Sequence, residues 1–130
     1  MWFLLLAAFL QVIGQPSEVA TAWKTVQASA RSAGYDFSDV KVDDVAVLAP
    51  GQRAPKDRRF LRPRSPANLE GALIDLAVDE KFGGNTGIKL AIKSVNRLFH
   101  KQSDALDLLK KERKITEDQW KELRQRLLEL

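Results

Sequence analysis

Apolar side chains follow two rules along this chain. Residues 1–17 contain no ionisable side chain, and every position from Trp2 through Leu10 is apolar, with Val12 and Ile13 extending the run past Gln11. From Glu18 onward, apolar residues recur at helical spacing between charged ones. Val19, Ala22, Trp23, Val26 and Ala30 share one stripe of a helix over residues 17–33. Ser17 caps it, Glu18 suits the positive end of the helix dipole, and Gly34 closes it. The stripe is rich in alanine, which predicts weak burial with Trp23 as its anchor.

Residues 35–48 read differently. Asp36, Asp39, Asp43 and Asp44 alternate loosely with Val40, Val42, Val45 and Val47. A short strand and an extended linker fit equally well, and no pairing partner is evident. Residues 49–65 mark the sharpest break, with Pro50, Gly51, Pro55 and Pro63. Between Arg53 and Arg64 stand six basic side chains against one acid, which predicts an exposed, irregular linker.

Four helical patterns follow. Ser65-Pro66 opens the first, whose apolar face is Leu69, Ala72, Leu73, Leu76 and Ala77. A turn over residues 82–87 separates it from the second, with Ile88, Ala91, Ile92, Val95 and Phe99 on one face. The third begins at Ser103 or Asp104 and offers Leu106 and Leu109. Thr116-Glu117-Asp118-Gln119 is a capping box for the fourth, which buries Trp120, Leu123 and Leu127 as core anchors. Short connections imply antiparallel neighbours. The expected fold is mostly α, a small antiparallel helical bundle over residues 66–130 after an irregular Pro/Arg-rich linker at 49–65. Residues 15–48 precede it as a helix plus an acidic extended segment. Phe99, Leu108 and Leu128, beyond what that core needs, are candidate partner contacts.

Composition narrows the function. The chain has 130 residues, 45% of them apolar, and a net charge of +4, which allows an anionic partner without requiring one. It has no cysteine and a single histidine, His100, expected at a helix end, so no zinc site and no Ser-His-Asp or Cys-His set is assembled from it. No catalytic residue, metal ligand or cofactor is expected. The aspartate cluster lacks the glycine turn and closing glutamate of a calcium loop. The basic linker holds one aromatic, Phe60, too few for a nucleic-acid stacking platform, so nucleic acid is not an expected partner. A protein partner is.

The initial run is a targeting or membrane signal. Its roughly 13 apolar residues would span about 20 Å as a helix, against about 30 Å of hydrocarbon. That length suits a secretory signal over residues 1–14, leaving Gln15 first after cleavage. Without a basic residue ahead of the apolar run, a short membrane anchor with a cytosolic body is the alternative.

Arg59-Phe60-Leu61-Arg62 resembles the Arg-x-Leu-Arg motif of oomycete secreted effectors. The order of parts is also similar to that family: apolar signal, irregular stretch, tetrapeptide, small helical domain. The acidic run usual after the tetrapeptide is absent, and no Tyr follows Tyr35. The resemblance implies secretion, entry into a host cell and non-enzymatic binding of host proteins to suppress defence, with Arg59, Phe60, Leu61 and Arg62 as a targeting or processing motif. Residues 105–109 and 114–120 also look like the cytosolic helical hairpin of a fungal endoplasmic-reticulum translocation subunit. That likeness implies an anchored accessory subunit of a larger membrane complex.

Overall fold

The computed structural model describes residues 16–129, and the chain over them is mostly helical. Helix α1 is Pro16–Ser32, strand β1 is Ala46–Val47 and strand β2 is Phe60–Leu61. A 3-10 turn at Pro66–Asn68 leads into α2 at Leu69–Phe82, followed by α3 at Thr86–Lys111 and α4 at Glu117–Glu129. The apolar segment at residues 1–14 lies outside the described residues.

Each helix end has a local cause. At the end of α1, Tyr35 N–H donates to the Ala30 carbonyl at 2.8 Å and Gly34 N–H to the Arg31 carbonyl at 3.0 Å. That pattern needs a left-handed residue, and Gly34 supplies it at φ 94°. Asn85 caps α3, its side-chain oxygen accepting from Ile88 N–H at 3.0 Å. Gln119 N–H donates to Thr116 Oγ1 at 3.1 Å, and Thr116 N–H donates to Gln119 Oε1 at 2.8 Å, which completes the capping box of α4.

The core begins well before residue 66. Val19, Ala22, Trp23, Val26 and Ala30 are all buried, together with Phe37, Val40, Val42, Val45 and Val47 from the segment after α1. They form one cluster with Leu69, Leu73, Ile74, Ala77 and Val78 of α2 and Ile92 of α3. Phe37 is 0% exposed, and its ring stacks on Trp23 at 5.8 Å with 5° between planes. The alanine stripe is therefore central, where the sequence suggested weak burial. Small side chains on α1 let the covering segment approach closely, and β-branched residues fill that layer.

Residues 49–65, expected to be irregular throughout, contribute a strand. β2 pairs in parallel with β1, Ala46 opposite Phe60 and Val47 opposite Leu61. Ala46 N–H donates to the Arg59 carbonyl at 2.9 Å and Leu48 N–H to the Leu61 carbonyl at 2.8 Å. Parallel strands need a long crossover, so the missing partner of the valine-rich segment lay in the proline-rich stretch itself. Pro63 is buried as well.

The expected second and third helices are one 26-residue helix, α3. Ser103 and Asp104 lie in its interior and cap nothing, and His100 is mid-helix. α4 has no buried residue: Trp120 and Leu127 are half-buried and Leu123 is 38% exposed, so these three are not core anchors. The core is already filled by α1 and the 37–47 layer, leaving α4 outside it. Phe99, expected as an exposed contact, is 7% exposed. Leu128 is half-buried, its carbonyl accepting from Arg31 Nη2 at 3.1 Å. Leu108 is 54% exposed.

Two outcomes follow from this packing. Phe37→Ala should lower unfolding stability by about 3–5 kcal/mol, whereas Leu123→Ala should change it by no more than about 0.5–1 kcal/mol, read from urea midpoints. Arg113 closes α3 in the left-handed conformation at φ 60°. Arg113→Gly should therefore raise stability by about 1 kcal/mol in the same assay.

Candidate functional site

The tetrapeptide divides into an inward and an outward half. The Arg59 side chain is 32% exposed and fully engaged. Its Nη2 donates to Asp44 Oδ1 at 2.5 Å and to the Lys41 carbonyl at 2.5 Å, and its Nε donates to Asp44 Oδ2 at 3.2 Å. Its Nη1 donates to Glu80 Oε1 on α2. Arg59 thus ties the 41–44 turn to α2 while its backbone joins the strand ladder. Arg58 Nε adds a bond to the Asp44 carbonyl at 2.8 Å. Leu61 is half-buried against the core. Phe60 is 42% exposed, with the Arg62 guanidinium 5.5 Å from its ring centroid.

These contacts shift the titrations. The hydrogen bonds from Arg59 hold the Asp44 carboxyl below the ordinary value of 3.8, and Asp44 and Glu80 in turn push the Arg59 guanidinium upward. Lys81 does the same for Asp39, donating to Asp39 Oδ1 at 2.7 Å and also to the Asp36 carbonyl. Asp36 is lowered by its own turn, accepting from Ser38 N–H and Ser38 Oγ, each at 2.9 Å. The aspartates are therefore spread into separate ties, and among the described residues no group of three or more His, Cys, Asp or Glu is placed to hold a metal ion.

Beside this strap lies an apolar groove of about 530 Å³. Val19 and Ala20 of α1 form one wall, Val45 and Val47 another, and Arg53 and Arg58 stand at it. Among the described residues Asp43 is the one acid in the lining. The helical stripe and the valine alternation were visible in the sequence; their meeting at one groove was not. Phe99, Leu108 and Leu128 do not line it. His100 bonds through Nε2 to Glu70 Oε1 at 2.6 Å, and Glu70 Oε1 also accepts from Asn96 Nδ2 at 2.8 Å. Asn96 Nδ2 donates in turn to Ser29 Oγ at 3.2 Å. That network ties α1, α2 and α3 together around Ser29, which is fully buried.

Comparison with protein-family models, with curated proteins and with solved structures finds no match to this chain.

Arg59→Ala should cost about 1–2 kcal/mol of stability, because a charge-assisted network is lost at a partly exposed site, while Arg62→Ala should cost no more than about 0.5 kcal/mol. The sign with pH is fixed by Asp44. Its folded value is depressed, so its tie to Arg59 contributes fully above 3.8 and is lost as pH falls through the lower folded value. The difference in urea midpoint between the wild type and Arg59→Ala should be full at about pH 7 and narrow at about pH 3.

Proposed function

We propose that this chain is a secreted, non-enzymatic protein-binding module of the effector type, and that the groove between α1 and β1 receives an apolar, acid-flanked segment of a partner protein. The observation that carries the reading is the groove itself. About 530 Å³ of mainly aliphatic lining is bordered by Arg53 and Arg58. Apolar pockets with a few placed charges suit ligand segments of complementary character. Aliphatic side chains from the partner would bury against Val19, Val45 and Val47, and acids beside them would meet the two arginines.

Secretion rests on residues 1–14, whose length suits a cleaved signal. Zero cysteine accords with a destination in a reducing cytoplasm. Among the described residues no helix is long and apolar enough to cross a membrane, so an anchored reading depends on that initial run alone. In the effector reading the tetrapeptide is a strap first. Arg59 holds the fold, and only Phe60 and Arg62 are presented to a receptor.

The test is a selection of displayed peptides on the full chain. Enriched peptides should be apolar with flanking acids. Ala20→Glu, at an exposed position of the groove wall, should reduce their binding by about tenfold or more without lowering the unfolding midpoint. Selected peptides that bind Ala20→Glu as tightly as the wild type would remove the groove as the site. Expression with a C-terminal tag in a eukaryotic secretory host should release chain beginning at Gln15 into the medium; a retained, uncleaved product would remove secretion.

A further inference from the structure

A second recess, about 610 Å³, has a different chemistry. It is lined by residues 62–64, by the 3-10 turn and by the facing parts of α2 and α3. Arg62 and Arg64 of the 62–64 stretch and Arg97 of α3 all line it. Among the described residues none of the three has a carboxylate partner; Arg62 lies over Phe60, and the other two make no side-chain bond to a described residue. Asp75, the one acid of the lining among the described residues, is taken by Lys93 at 2.8 Å. The neighbouring Glu70 is taken by His100 and Asn96. Three guanidinium groups without a carboxylate partner among the described residues thus border one concavity, a charge that favours an anionic ligand.

The floor is shaped for something to enter. Gly71 sits within α2, where alanine would favour the helix by about 1 kcal/mol. A Cβ built there meets nothing within 4 Å, so packing does not demand the glycine. Its absence of a side chain keeps the recess open. Ala67 and Ala72 continue this low floor. At one side Asn68 precedes α2 without capping it, and its side-chain amide makes no bond to a described residue. Among the described residues no Phe, Tyr or Trp lines the recess, so bases find no aromatic stacking platform on them.

We infer that this recess binds a phosphorylated serine or threonine in an extended segment of a partner protein. The phosphate dianion accepts from the forks of Arg62, Arg64 and Arg97, the geometry arginine provides and lysine does not. The flanking backbone lies over Ala67, Gly71 and Ala72 and bonds to Asn68. The inference stands apart from the apolar groove, since the two linings share no residue.

The test uses two degenerate peptide pools on the immobilised full chain, identical except for a central phosphoserine or serine. The phosphoserine pool should be retained about tenfold more strongly. Single phosphopeptides recovered from it should lose about tenfold or more in affinity with Arg64→Gln/Arg97→Gln, by fluorescence anisotropy. Gly71→Glu should do the same by offering an internal carboxylate to the arginines, and its folding is safeguarded because glutamate favours a helix more than glycine does. Ala20→Glu in the other groove should leave phosphopeptide binding unchanged. Equal retention of the two pools overturns the proposal, as does undiminished binding by both recess variants with native circular dichroism. An unstructured RNA oligonucleotide that binds more tightly than the phosphopeptides, and is lost in the same variants, also overturns it by making the recess a nucleic-acid site.

Discussion

Phe37 has no solvent exposure, and its ring lies parallel to Trp23 on α1 while Phe82, the last residue of α2, tilts against it at 6.4 Å. That insertion joins α1, which carries little bulk of its own, to α2. The face of α1 is valine and alanine around one tryptophan. Alone it offers too little apolar area to offset the entropy of ordering seventeen residues. Covering it with Phe37, Val40, Val42, Val45 and Val47 supplies the missing area. Once that segment lies over α1, β1 is in position and β2 can pair with it. The grooves beside the strap depend on the same placement.

Charge then fixes what the apolar layer has placed. Arg59 joins the end of that layer to α2 through Asp44 and Glu80, and Lys81 joins its beginning through Asp39 and the Asp36 carbonyl. Lys89 and Lys93 of α3 pair with Asp79 and Asp75 of α2, each at 2.8 Å. The pairs are partly exposed, so each one adds little to stability by itself. Their value is positional. They hold an irregular segment in register where two-residue strands alone are too short to do so.

This arrangement changes what the Arg-Phe-Leu-Arg segment means. A linear recognition motif requires extended, accessible side chains. Here the first arginine is committed to four acceptors on two separate elements and the leucine packs inward. Only the phenylalanine and second arginine remain outside, and Arg62 turns toward the recess that also collects Arg64 and Arg97. A basic run that reads as a solvated linker is thus sorted by the fold into Arg58 and Arg59, bonded at Asp44, and Arg62 and Arg64, which border the recess.

What the sequence determined by itself was local. The stripe Val19-Ala22-Trp23-Val26-Ala30, the capping box at Thr116, the turn over residues 82–87 and the mostly helical class all follow from interactions within a few residues, which periodicity and cap chemistry report directly. The sequence pattern suggests a helix start at Ser103, yet α3 runs through it unbroken, because a capping residue looks the same inside a helix as before one. Trp120, Leu123 and Leu127 keep helical spacing, yet spacing does not say whether another layer already fills the core. The pairing of β1 with β2, the burial of Phe37 and Phe99, the commitment of Arg59 and both recesses were decided only by tertiary structure. Each depends on residues brought together from distant positions, and nothing in the local pattern around Arg59 distinguishes it from Arg58 or Arg62. Its partners on α2 and at Asp44 do.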